Sequence, residues 1–116
     1  MTEPVARFRL RVRVGDVVAV GPGKIDLLEA IDATGSLTAA ARAIGMSYRR
    51  AWLLLEELNR SLRTAAVATA AGGRNGGGSV LTPAGRELLE LYRRIEATAQ
   101  VAAAADIARL RALLAS

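Results

Sequence analysis

Two glycine–serine breaks ten residues apart, Gly35-Ser36 and Gly45-Met46-Ser47, constrain this chain more than anything else in it. Each one ends an apolar stripe and opens the next. Ile25, Leu28 and Ile31 recur at helical spacing from a start near Lys24, with Leu27 beside them, and Gly35 stops that helix after Thr34. Ser36 is a good N-cap for a second helix over 37–44, whose Leu37, Ala40, Ala41 and Ile44 share one face. The small side chains of Ala39, Ala40 and Ala41 permit close helix packing. Gly45 then stands where a tight turn needs positive φ. Ser47 caps a third helix running to about Leu62, with Tyr48, Ala51, Leu55, Leu58 and Leu62 as its core stripe and Trp52 and Leu54 on the flanks. Tyr48 and Trp52, as large aromatics, are expected in the core. Arg49, Arg50, Leu53, Glu56, Glu57 and Arg60 are left facing outward.

Two capped helices joined by a short turn containing glycine form a helix-turn-helix. Spacing alone leaves two uses for it. In the DNA-binding form the second helix lies in the major groove with its first residues on base edges, here Ser47, Arg49 and Arg50. Arginine can grip the O6/N7 edge of guanine through two hydrogen bonds. Glu56 and Glu57, two turns on, would repel phosphates and confine that contact to the first two turns. In an ordinary helical hairpin the same arginines only keep the surface solvated.

The stretch beyond the third helix favours the first use. Residues 65–71 read as a short strand of small side chains, with Val67 and Thr69 its best strand formers. The run Gly72-Gly73-Arg74-Asn75-Gly76-Gly77-Gly78 and the returning strand Ser79-Val80-Leu81 complete a hairpin with Arg74 at its tip. A phosphate-cradling glycine loop runs from strand into helix, whereas this one runs from strand to strand. A hairpin placed directly after a helix-turn-helix is a wing, which reaches the DNA backbone or minor groove. Thr82-Pro83 then opens another helix, with a capping residue and proline at its first position. Beyond Gly85 no proline or glycine interrupts the chain as far as 114, so this helix is expected to be about 30 residues, or ~45 Å. Its far end needs apolar cover, for which self-association is the economical source; a bend back onto its own domain is the other.

Upstream, residues 6–14 alternate strictly. Phe8, Leu10, Val12 and Val14 fall on one face, expected on the core, and Arg7, Arg9, Arg11 and Arg13 on the other. Gly15-Asp16 signals a turn and Val17–Val20 a second short strand. The arginine face suits either a solvated surface that discourages edge pairing or contact with phosphates. Gly23-Lys24 is not a P-loop, because Val18 stands where that motif has glycine and Ile25 where it has Ser or Thr.

Composition narrows the function. Without Cys or His there is no disulfide, thiolate or imidazole metal site, cysteine nucleophile or Ser-His-Asp triad. The eleven acids are scattered, so no metal or other cofactor is expected and the chain is read as a non-enzyme. No apolar stretch approaches a bilayer span, and the arginine-bearing start lacks a signal peptide's apolar segment. A cytoplasmic location is therefore expected, with no membrane partner. The net charge of +5 is unevenly placed: residues 15–35 are acidic, while 1–14 and 36–82 hold ten of the fifteen arginines. A balance like that favours an acidic polymer, nucleic acid ahead of membrane.

A specific resemblance joins these features. Ile25-Asp26-Leu27-Leu28-Glu29-Ala30-Ile31, Gly35-Ser36-Leu37, Ala39-Ala40-Ala41, Gly45-Met46-Ser47-Tyr48-Arg49-Arg50-Ala51-Trp52, Glu57-Leu58-Asn59, the glycine-rich wing and Leu81-Thr82-Pro83-Ala84-Gly85 resemble, in order, the N-terminal winged helix of the molybdenum-responsive ModE family. That domain is similar to the LysR-type winged helix. The resemblance implies a mostly α fold with a little β: an N-terminal strand or hairpin over 1–20, a winged helix-turn-helix core over 21–82 with its wing at 65–81, and a long dimerisation helix over 83–116. It implies a dimeric transcriptional regulator that binds double-stranded DNA at an inverted-repeat operator. Ser47, Tyr48, Arg49 and Arg50 fall at the start of its recognition helix, Ser36 and Thr38 on the preceding helix where hydroxyls meet phosphate, and Arg74 and Asn75 in the wing. Arg42 is expected to face solvent or phosphate. Full-length members add C-terminal oxyanion-binding domains, and nothing in these 116 residues resembles one, so molybdate binding by this chain is not expected. The alternative is a winged helix that docks a protein partner, with the long alanine-rich helix as its main surface.

Overall fold

The structure, a computed structural model, describes residues 2–69 and 78–115. Its elements run β1 (Val12–Val14), β2 (Val17–Val20), α1 (Pro22–Thr34), α2 (Leu37–Ala43), α3 (Tyr48–Ser61), β3 (Val67–Thr69), β4 (Ser79–Leu81), α4 (Pro83–Ala102) and α5 (Ala104–Ala112). This is the expected winged helix-turn-helix with an N-terminal hairpin and a long C-terminal helical arm. The punctuation read from the sequence sets the boundaries. Gly35 adopts φ +76° and its N–H donates to the Ile31 carbonyl. The Ser36 hydroxyl accepts from Ala39 N–H at 2.9 Å, that of Ser47 from Arg50 N–H at 3.1 Å, and that of Thr82 from Gly85 N–H at 3.0 Å. Each satisfies a donor that the first turn of a helix leaves open.

The core lies where α1, α2, α3 and the start of α4 meet. Ile25, Leu27, Leu28, Ile31, Ala40, Ala41, Ala51, Leu58, Leu89 and Tyr92 are buried there, with Val67 and Leu81 from the second hairpin. Ala40 and Ala41 against Ala51 let α2 and α3 approach closely. β3 and β4 pair antiparallel, Val67 opposite Leu81 and Thr69 opposite Ser79. The plain side chains before β3 have a physical reason. Ala66 is fully buried, its carbonyl accepts from Thr82 N–H at 2.9 Å, and a Cβ on Gly85 would come within 2.0 Å of that same oxygen. Only glycine at 85 lets α4 start this close to the backbone of the hairpin.

Two expectations need correction. The N-terminal strand covers Val12–Val14 rather than 6–14, and Val12 and Val14 are exposed instead of facing the core. A strand extends only as far as its partner: β2 is four residues long and gives way to α1 at Gly21-Pro22, leaving residues 2–11 nothing in the hairpin to pair with. They lie instead along the C-terminal arm, tied by the Tyr92 hydroxyl donating to Leu10 O (2.8 Å), the Gln100 amide donating to Ala6 O (2.9 Å) and Arg111 beside Glu3 (3.3 Å). The arm itself is two helices rather than one, separated at Ala103 with φ −99° and ψ 7°. The bend falls between the two tethering points, Gln100 and Arg111. No helix among the described residues is long and apolar enough to cross a membrane.

Candidate nucleic-acid interface

The outward face of α3 is built from the turn before it. After α2 the chain reverses through Ile44 and Gly45, the latter at φ +70°, and Met46 N–H returns to the Ala41 carbonyl at 2.9 Å. Ser47 begins α3, and Ser47, Tyr48, Arg49 and Arg50 are all exposed. Ala51 and Leu58 hold the opposite side in the core. Ser47, Arg49 and Arg50 gather with Leu53, Leu54 and Glu57 around one shallow depression. Ser36, Thr38 and Tyr48 lie on the other side of the helix. There they line a groove of about 370 Å³ between α2, α3 and the second hairpin, with Trp52 and Asn59 in its floor and walls. Arg42 is exposed in the last turn of α2. Arg74 and Asn75 lie outside the described residues.

The expected core positions of the two aromatics are overturned: Tyr48 is 55% exposed and Trp52 45%. With Ala40, Ala41 and Ala51 closing the helix contact, burial is centred on Ala51 and Leu58. At about 100° per residue Tyr48 sits at the edge of that stripe and Trp52 beyond it.

Electrostatics leave the same face basic. The acids of α1 are matched by arginines of α4. Asp32 pairs with Arg86 at 2.8 Å, and Arg93 reaches Glu29 at 3.0 Å, Asp26 at 3.4 Å and Glu96 at 2.9 Å. The hydrogen bond from Arg86 holds the Asp32 carboxyl below its ordinary value, and Glu29 holds the Arg93 guanidinium above its own. Among the described residues Arg42, Arg49, Arg50, Arg60 and Arg63 have no such partner within 4 Å. The acidic stretch at 15–35 is thereby offset within the fold, and the arginines of the helix-turn-helix stay available.

Two residues matter here to which the sequence alone assigned no role. Lys24, 4% exposed, donates to Glu57 and to the Val18 carbonyl, joining α1 to α3 and β2. It offsets one of the two acids on α3 expected to repel phosphate. Asn59 anchors the wing: its Oδ1 accepts from Ala66 N–H (2.8 Å) and Val67 N–H (3.3 Å), and its Nδ2 donates to Val67 O at 3.4 Å. Asn59 stood within the Glu57-Leu58-Asn59 segment of the family resemblance; Lys24 carried no signal, since its partner is 33 residues away.

Comparison with known proteins fits this geometry. The family model of the bacterial regulatory helix-turn-helix proteins of the lysR family matches residues 23–86, from the first turn of α1 into α4. The chain belongs to that family. Within it, the chain carries a ModE-like winged helix. It is 47% identical over 78 residues to the molybdenum-pterin-binding protein MopB of Rhodobacter capsulatus, a stretch covering 67% of this chain and 29% of that protein. It is 39% identical over 95 residues to the molybdenum transport protein ModE of Azotobacter vinelandii, covering 82% and 34%. To the DNA-binding transcriptional dual regulator ModE of Escherichia coli K12 it is 36% identical over 87 residues, covering 75% and 33%. The chain thus spans about a third of the length of the curated relatives it matches. Among solved structures, the CbnR_DBD–DNA complex superposes with a TM-score of 0.55 over 78% of this chain and 95% of that one, at 23% identity, and shows the fold.

Proposed function

We propose that this lysR-family chain is the DNA-binding part of a transcriptional regulator of the ModE type, acting in the cytoplasm as a homodimer on an inverted-repeat operator. The observation that carries the reading is the head of α3. Ser47, Arg49 and Arg50 stand exposed and without acidic partners among the described residues, on the first turn of the second helix of a helix-turn-helix. That placement suits base edges in the major groove, with Arg49 and Arg50 aimed at guanine. Ser36, Thr38, Tyr48 and Arg42 flank them at the level of the phosphates, and Arg74 and Asn75 would extend the contact through the wing. The names of the relatives supply the link to molybdenum genes; molybdate recognition itself is not assigned to this chain, nor is catalysis.

Self-association is supported by the arm and the N-terminal hairpin. Val101 is 79% and Leu113 84% exposed, with Val14, Leu91, Ile95, Leu110 and Leu114 also open to solvent. Leaving so many large apolar side chains uncovered is unusual for a monomer. A two-fold pair would also place two α3 helices on successive half-sites.

The test is a fluorescence-anisotropy titration of the full chain against its own promoter region and molybdate-transport promoters, at two salt concentrations and with and without molybdate. The reading predicts selective binding that weakens steeply with salt and falls more than tenfold in Arg49→Ala. Binding without selectivity, unchanged by that substitution, would favour the protein-docking alternative.

A further inference from the structure

The DNA-binding reading explains the arginines of α3 but not its exposed apolar side chains. Leu53 is 48% exposed one turn after Arg49 in the same depression, and Trp52 is 45% exposed one turn after Tyr48 at the groove on the other flank. The packing of the helix does not need them there. Ala51 and Leu58 are buried, Leu54 and Leu55 are half-buried, and these four account for the contact of α3 with the core. Nor does solubility, which two adjacent large apolar groups on a solvent face oppose.

Their surroundings limit what can cover them. Leu53 stands with the unpaired Arg49 and Arg50 in the depression on one flank of α3, and Trp52 stands with Glu56 and Asn59 at the groove on the other. An apolar protein surface seated on the pair would strip water from those charges without replacing it. The major groove meets both needs at once, because its rims are anionic and its floor carries a single apolar feature, the C5-methyl group of thymine. An α-helix of about 10–12 Å diameter fills a groove about 12 Å wide, so side chains in its first two turns reach the floor.

We propose that Leu53 and Trp52 read thymine from the two flanks of α3, Leu53 packing on a C5-methyl group beside the base held by Arg49 and Trp52 on one at the groove side of the helix. This rests on the DNA-binding reading. It makes the two residues specificity determinants in their own right. Arg49 and Arg50 select guanine by hydrogen bonding, and the apolar pair selects thymine by excluding water from its methyl group, which no hydrogen-bonding side chain on this face can do.

The experiment begins by enriching a random duplex library on the full chain. Each thymine of the enriched duplex is then replaced in turn by deoxyuridine, which removes the methyl and leaves every hydrogen-bonding group in place. Binding is measured by anisotropy for the wild type, Leu53→Ala and Trp52→Ala. Losing one buried methyl at one or two thymines in each half-site is expected to weaken wild-type binding about three- to tenfold. The variants should bind the thymine and deoxyuridine duplexes alike at the position each one reads. Leu53→Ala replaces an exposed residue with the best helix former and should melt with the wild type. Trp52 borders the wing groove, so the readout for Trp52→Ala is the thymine-to-deoxyuridine ratio; a merely structural role would weaken both duplexes equally and leave that ratio unchanged, which would overturn the assignment of Trp52. A selectively bound duplex in which every deoxyuridine is neutral, or whose half-sites contain no thymine, would overturn the inference while leaving DNA binding intact. Failure to enrich any duplex would overturn both.

Discussion

The winged core and the segments that flank it use similar residues to opposite ends. In the core the large apolar groups of α1 are fully buried, each α2, α3 and α4 N-terminus carries its cap, and the acids of α1 meet the arginines of α4. In the flanks, β1 has no buried residue and neither has α5, and the N-terminal segment is held to the arm by three widely spaced polar contacts. Apart from the outward face of α3 with Trp52 and Leu53, the core closes on itself, while the flanks leave their valines and leucines unmet. A chain that buries one set of leucines completely and exposes another set is not short of apolar residues. Under the proposed reading the second set is kept for a surface outside the chain, that of a second copy.

That contrast can be broken most severely at Gly85. Gly85→Ala puts a methyl on the Ala66 carbonyl at the joint between hairpin and α4, and it should destabilise the core by about 3 kcal/mol or more in urea unfolding. Only a shift of the whole helix start would relieve it. The contrast is sharpened by truncating one leucine from each region. Leu58→Ala, from a side chain 1% exposed, should lower stability by about 2–4 kcal/mol. Leu110→Ala, on α5, should change the stability of the monomer by less than about 0.5 kcal/mol but weaken self-association in sedimentation experiments. Equal effects in unfolding would erase the distinction.

The smallest effect expected is at the seam between the two regions. Tyr92→Phe removes the hydrogen bond to the Leu10 carbonyl and should cost about 1 kcal/mol in thermal unfolding. Burial raises the Tyr92 phenol above its ordinary value of 10.0, so the folded state keeps the proton longer than the unfolded chain does. The stabilisation is therefore full below pH 10 and lost as the pH rises through the raised value. Alkaline titration of unfolding should show this decline in the wild type and less of it in Tyr92→Phe.

The features legible in the sequence are those decided within a few residues. Gly35 and Gly45 have the backbone that their positions demanded, and Ser36, Ser47 and Thr82 cap the helices they precede. The exposed Arg49 and Arg50 came from the same local frame. Features that the sequence did not reveal depend on distant partners. The alternation at 6–14 is a true strand signal, but β2 is too short to use it. Ala103 interrupts the arm although alanine is the best helix former, so composition gives no warning there. Lys24 and Tyr48 show this in opposite directions: a carboxylate on α3 holds one in the interior, and the other, at the edge of a stripe centred on Ala51 and Leu58, stays exposed.

The most direct test of the account is chemical protection of guanine N7 by dimethyl sulfate on a duplex enriched by the full chain. N7 lies in the major groove on the edge that Arg49 would grip under the proposed reading. Protected guanines are expected in two symmetry-related half-sites, with protection lost in Arg49→Ala while that variant remains folded. Guanines that stay reactive in a stably bound duplex, or protection that persists in Arg49→Ala, would contradict it.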